Sequence, residues 1–252
     1  MYTVSQRTKK AKQPRGGYLP PKQFEQLQYS DGVCLKDMEN VPSGIISLAV
    51  NYLTRFLTGD SLHDAFYSPI VSALYLGQIL DAEAALKKIK GLDDVSICAS
   101  CQLCAYDLTY RTGHRKIPTS YLAFPNEDTL YNIRSMVLRG IAFFNENGPI
   151  KEYGYTLEGG YTHMIHDGQG DLMTDDTIWD FKIINTEITS KHTLRLLVYY
   201  LMGMHSGKKA FEHIRYLGIY NPRKNKSYIL DLDNIPDQIK KSIEKEVICY
   251  PN

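Results

Sequence analysis

The spacing of apolar positions divides the chain into a helical first half and a strand-rich second half. Residues 44–57 (GIISLAVNYLTRFL) carry apolar side chains at helical spacing, with Gly59 as a stop signal. A helical pattern resumes over 65–90, broken in phase by Pro69 and ended by Gly91. Residues 93–111 (DDVSICASCQLCAYDLTYR) predict a third helix. After a loop over 112–124, Asn126-Glu127-Asp128 predicts the cap of a helix over 129–145. The pattern changes at Gly148-Pro149. From there YGYTLEGGYTHMI, GDLMT and TIWDFKII are rich in Tyr, Thr, Ile and Trp with turn residues between them, which predicts strands. A helix follows over 193–204, then a strand pair over 215–220 and 227–232 joined by NPRKNK, and a final amphipathic helix over 235–246. The expected class is α+β with an α/β-like core, a mixed sheet flanked by helices behind a helical N-terminal region. The expected division is a flexible arm over 1–24, a helical region over 25–125, and a sheet-bearing core with its C-terminal helix over 126–252.

One stretch breaks the apolar rule for strands. Residues 170–182, GDLMTDDTIWDFK, set Asp171, Asp180 and Lys182 beside Leu172, Trp179 and Phe181, although an unpaired carboxylate in apolar surroundings is costly. With Asp175-Asp176 as a two-residue turn, Thr174 faces Thr177, Met173 faces Ile178, Leu172 faces Trp179 and Asp171 faces Asp180. Such partners sit about 4.5–5.5 Å apart. Alternation then puts Lys182 on the face of Asp180, while Trp179, Phe181 and Ile183 point the other way, into the expected core. Two carboxylates that close repel unless something compensates. A hard Mg²⁺ or Mn²⁺ ion does so, and a lysine beside it can orient water or stabilise charge developing on a phosphate. That combination points to phosphodiester hydrolysis. A plain Asp–Lys ion pair on a solvated sheet face fits the same spacing.

Composition changes this picture little: 43% apolar, 23% charged and a net charge of +1 describe an ordinary globular chain and identify no partner. The distribution of charge says more. Arg7, Lys9, Lys10, Lys12, Arg15 and Lys22 precede the first acid, Glu25. This segment is read as a solvated, flexible basic arm, with a nucleic-acid-binding arm as the alternative. Five cysteines without a signal-peptide pattern point to a reducing cytoplasm. No apolar run reaches the roughly 18–20 residues of a membrane span, so no membrane partner is expected. Cys98, Cys101 and Cys104 have a spacing seen in iron–sulfur proteins. No fourth cysteine is near, and on a helix they read as small core residues, so no cluster is expected.

Around its acidic stretch the chain resembles the PD-(D/E)XK nuclease superfamily in its RecB-like branch. GDL, followed by a strand ending in WDFK, matches that pattern, with Asp171 as the first aspartate and Asp180 and Lys182 as the Asp-x-Lys pair. The order helix, three strands, helix, strand is also similar to that superfamily's core, over roughly residues 127–235. The resemblance implies a restriction-endonuclease-like core, an Mg²⁺ or Mn²⁺ cofactor, and the Phe181 carbonyl as an extra metal ligand. The family's preceding helix often adds an acid; Glu127 and Glu146 give no match, and Glu158 in TLEGGYT is the better candidate for a third. RecB-like members often carry Gln-x-x-x-Tyr on the following helix. In TLRLLVYY, Tyr199 matches the tyrosine and Arg195 stands in the glutamine's place, where it is able to bind phosphate.

Further phosphate contacts are expected from Lys191 and His192, at a helix N-terminus, and from Arg223 and Lys224 in the basic turn. The expectation is therefore a metal-dependent nuclease acting on DNA through Asp171, Asp180 and Lys182. The alternative is a catalytically inactive nuclease-fold scaffold that binds nucleic acid or protein, favoured by Arg195 and the missing helix acid. A glycosidase pair of carboxyls fits the lysine poorly. Homo-oligomerisation is left open.

Overall fold

The computed structural model of the protein describes residues 1–251. It begins with β1 (Tyr2–Thr3) and α1 (Val4–Lys10), joined by a capping box in which Thr3 Oγ1 accepts from Gln6 N and Gln6 Oε1 accepts from Thr3 N. A short strand, β2 (Glu25–Gln28), follows. Six helices come next: α2 (Ser43–Leu57), α3 (Leu62–Ala65), α4 (Tyr67–Tyr75), α5 (Ile79–Leu86), α6 (Asp94–Arg111) and α7 (Glu127–Asn147). Then come β3 (Glu152–Tyr153), β4 (Ile165–Asp167), β5 (Leu172–Met173), β6 (Thr177–Phe181), α8 (Ser190–His205), β7 (Tyr216–Asn221), β8 (Lys226–Asp231) and α9 (Asp237–Ile243), which runs into a π-turn at Glu244–Ile248.

These elements form two compact units: Ser30–Glu146, and Met1–Tyr29 together with the chain from Asn147 onward. In the helical unit α6 packs against α2, α4 and α5, around buried Ile45, Leu53, Ile97 and Leu103. Pro69 does not break its helix. It lies in the first turn of α4, where its missing N–H has no intrahelical acceptor to lose. The breaks fall at Phe66 and at Gly77, whose φ of 70° is the left-handed region a side chain disfavours.

The other unit is built on a six-stranded sheet of order β2-β8-β7-β6-β5-β3. Only β6–β7 is parallel, and α8 makes that crossover; every other pair is antiparallel. The β5–β6 hairpin has the register that alternation requires: Leu172 opposite Trp179, Met173 opposite Ile178, and Thr174 N donating to Thr177 O at 2.9 Å across the Asp175-Asp176 turn. The strand expected over 153–165 is mostly loop, because Gly154 and Gly159 take left-handed φ values of 62° and 95°. The class α+β, with a mixed sheet flanked by helices, is as the apolar pattern predicts.

Two expectations change. The first 24 residues are not a flexible arm. Val4, Tyr18, Leu19 and Phe24 are buried in the core of the sheet unit, and α1 packs on α8. Burying these four apolar side chains, on the order of 1.5–3 kcal/mol each, holds down a segment whose charges lie on its other side. The division also moves, since β2 of the first 29 residues pairs with β8 in the sheet, while the helix at 127–147 belongs to the helical unit. Among the described residues no helix is long and apolar enough to cross a membrane.

Candidate acidic site on the central strand

Strand β6 has a central place in the sheet, and alternation puts Ile178, Asp180 and Lys182 on one of its faces. That face carries the unit's main core. Ile178 packs there with Leu194, Leu197 and Val198 of α8 and with Ile219 of β7. The acidic residue therefore does not look out to water, as the hairpin alone suggested, but lies under α8. Asp180 is 4% exposed. Trp179 and Phe181, on the opposite face, are buried as well.

The buried carboxylate is surrounded by specific partners. Arg195 of α8 donates through Nη2 to Asp180 Oδ1. Lys182 Nζ lies 3.4 Å from Asp180 Oδ2. Asp171, at the foot of β5, accepts a 2.8 Å hydrogen bond from Phe181 N on its Oδ2, so the hairpin holds the two acids side by side. With both carboxyls ionised, Asp180 Oδ2 is buried and receives no hydrogen bond; Arg195 Nε and the Tyr155 hydroxyl are likewise buried without a partner.

Electrostatics separates the two acids. Burial, and then the neighbouring Asp180 charge, push the Asp171 carboxyl up to about 7. Burial presses Asp180 the same way, but the Arg195 and Lys182 charges outweigh it and hold Asp180 below the usual carboxylate range. The pair thus shares a proton, with Asp171 as its holder and hydrogen-bonded to Asp180. Arg195 stays charged despite its burial because Asp180 faces it. Burial raises Tyr199 to about 12, keeping it a neutral phenol.

The other expected residues divide by position. His192 lies at the start of α8, where its Nδ1 accepts from Thr189 N at 3.1 Å. Burial, then the Lys182 ammonium, pull it down to about 4, so near neutral pH it is a cap and not a cation. Lys191 is exposed beside it. Glu158 is exposed and tied to Thr156 Oγ1 at 2.7 Å and Lys208 Nζ at 3.4 Å. No third His, Cys, Asp or Glu joins the two aspartates among the described residues. In the β7–β8 turn, Lys224 Nζ lies 2.5 Å from Glu187 Oε1, and the Arg223 N–H donates to Asn221 Oδ1 at 3.1 Å. Cys98, Cys101 and Cys104 line α6 as free thiols, the last two buried.

Sequence reasoning missed Tyr155. Its fully buried ring meets Tyr199 and Phe211 edge-on, at centroid distances of 6.1 and 5.6 Å. Its backbone carbonyl accepts from Gly170 N at 2.9 Å. A side chain at Gly170 would run into the Tyr155 ring. The glycine that opens GDL is thus the one signal of an aromatic packed behind Asp171. Comparison with protein-family models, curated proteins and solved structures finds no match.

Proposed function

We propose that the chain is a divalent-cation-dependent nuclease that hydrolyses phosphodiester bonds of DNA at Asp171, Asp180 and Lys182. The observation that carries this reading is the buried Asp180 carboxylate beside a second carboxyl, Asp171, with its Oδ2 3.4 Å from the Lys182 ammonium. Once Asp171 is ionised the two carboxylates repel and Asp180 Oδ2 has no hydrogen bond, a cost that a cation shared by the pair removes. The strand order supports it in part: β4 apart, which pairs with β1, the strands β3, β5 and β6 are followed by α8 and β7, as in the three strands, helix and strand of the resemblance to PD-(D/E)XK nucleases. The helix before them in the chain, α7, belongs to the helical unit. The helix packed on α8 is α1, and VSQRTKK offers no acid.

Asp171, Asp180 and the Phe181 carbonyl would hold Mg²⁺ or Mn²⁺; when bound, the ion supplies positive charge that polarises the phosphoryl group and acidifies water. The remaining work falls to the chain. Asp171 must release its proton for the site to load, so cation affinity rises with pH around 7. Lys182, anchored by its backbone N–H donating to Tyr220 O at 2.8 Å, keeps its ammonium beside the acids. From there it stabilises negative charge on the phosphoryl oxygens as water attacks phosphorus and the ester oxygen leaves.

One observation favours a second reading, a non-catalytic nuclease-fold scaffold: Arg195 and Lys182 already balance the Asp180 charge from within the chain. Cation titration separates the two. A live site gains thermal stability with millimolar Mn²⁺ and cuts circular DNA only when the metal is present, and Lys182→Ala abolishes cutting while retaining the fold. Melting that ignores Mn²⁺, or a Lys182→Ala protein that cuts as fast as the parent, removes the catalytic reading.

A further inference from the structure

The basic N-terminal segment is held against the helix that carries Arg195. Helix α1 packs on α8, and Thr193 Oγ1 donates to Leu19 O at 2.5 Å. Between these anchors the chain turns at Gly16 and Gly17, both at φ 90°. Gly17 lies so close to Ser190 that any side chain there would collide with it. Residues 9–15 therefore run beside the first turns of α8, where Lys191, His192 and Arg195 are found. Arg7 is occupied, its Nε and Nη2 each donating at 2.7 Å to the Val247 and Glu246 carbonyls. Lys9, Lys10, Lys12 and Arg15 are exposed, as is Lys191. Lys10 rests over the Tyr2 ring at 4.6 Å. The side chains of Lys9, Lys12 and Arg15 enter no ion pair or hydrogen bond among the described residues, and no acid occurs before Glu25.

From this placement we infer that residues 9–15, together with Lys191, form a docking surface for the sugar–phosphate backbone of duplex DNA and lead it to the Asp171–Asp180 site. Six peptide steps reach at most about 20 Å, while each strand of a duplex offers a phosphate every 3.4 Å or so along its axis. The segment can thus meet several phosphates in a row. Its sequence KKAKQPR has no aromatic side chain on which bases could stack, which favours a duplex backbone over a single strand. Delivery of the docked strand to a cutting site rests on the nuclease reading; docking itself needs no metal.

The test is fluorescence anisotropy of labelled duplex DNA of about 20 base pairs in EDTA, comparing the parent with the triple variant K9A/K12A/R15A between about 50 and 200 mM salt. Each lost phosphate contact flattens the log–log salt slope by about 0.9. The triple variant is expected to be shallower by about 2.7, so the parent loses roughly 40-fold more affinity than the variant across that range. If the triple variant melts below the parent, the pair K12A/R15A, both beyond α1, is expected to flatten the slope by about 1.8. An unchanged slope in a folded variant, a parent that does not bind at low salt, or tighter binding to duplex RNA of equal length overturns the proposal. Cleavage with Mn²⁺ is scored separately. A parent that docks but never cuts sinks only the nuclease reading, and a parent that cuts with an unaltered slope in the variant sinks only the docking surface.

Discussion

Asp171 and Asp180 face each other across one hairpin, yet they meet opposite electrostatic fates. Asp180 receives Arg195 and Lys182, whereas Asp171 receives a backbone N–H and a like charge. The pKa of Asp171 in the fold, about 7, exceeds its ordinary value of 3.8. The folded state therefore binds the extra proton, and this group's stabilisation is complete below about pH 4 and lost as pH rises through 7. His192 works in the opposite sense, since its lowered pKa makes folding gain stability between about 4 and 6.5. A difference measurement isolates Asp171. The unfolding free energy of Asp171→Asn in urea minus that of the parent should grow from pH 4.5 to pH 7.5, with a ceiling of about 4 kcal/mol that solvent at its part-exposed edge reduces. A flat difference would show that Asp171 ionises normally. Arg195 is expected to be the costlier loss. Arg195→Met leaves a buried carboxylate with one remaining cation and should lower stability in urea by about 3–5 kcal/mol; a loss below about 1 kcal/mol would mean that Lys182 or water compensates Asp180 alone.

At the scale of elements, α8 decides what the acidic hairpin becomes. The hairpin supplies the acids, but α8 covers them, and α1 in turn covers α8. The fit is tight behind Asp171, where Gly170 leaves its side-chain space to the Tyr155 ring. Gly170→Ala must displace that ring or the start of β5, and overpacking of this kind costs about 1–3 kcal/mol. Thermal melting should register it. A variant as stable as the parent would place the Tyr155 ring elsewhere. The sequence-based elements came out close to these bounds wherever apolar periodicity was long: the helices at 44–57 and 93–111 match α2 and α6, and 215–220 and 227–232 match β7 and β8 within a residue. The segment at 153–165 did not conform, because aromatic and threonine residues suggest a strand whatever its glycines do.

For the whole molecule, the helical unit is an insertion in chain order between the first 29 residues of the sheet unit, which hold β1, α1 and β2, and the rest of that unit. Each unit has its own buried apolar residues, the condition for folding alone. Replacing residues 30–146 with a flexible linker long enough to cross the sheet from β2 to β3, about 24 Å over five strand spacings, should leave a protein that melts cooperatively and keeps the circular-dichroism signal of the sheet. On the nuclease reading proposed above, a stabilisation by Mn²⁺ seen in the full chain should persist in the shortened protein, because Asp171, Asp180 and Lys182 all lie outside the removed segment. Loss of cooperative melting would show that the sheet unit depends on the helical one.

The sequence by itself determined the features that are local in space: helix periodicity, the hairpin register, and the convergence of Asp171, Asp180 and Lys182, which comes from two-residue alternation and one short turn. It also held the pattern on which the family resemblance rests. Only the tertiary structure decided which face of β6 is covered, that Arg195 is the partner of Asp180, that Tyr155 lies behind Asp171, and that the basic N-terminal segment is anchored. Each of these depends on contacts between residues far apart in the chain, such as Arg195 with Asp180 or Leu19 with Thr193. Periodicity reports which side of an element is apolar. It does not report which other element will lie on that side, because burial is non-directional and many packings satisfy one pattern.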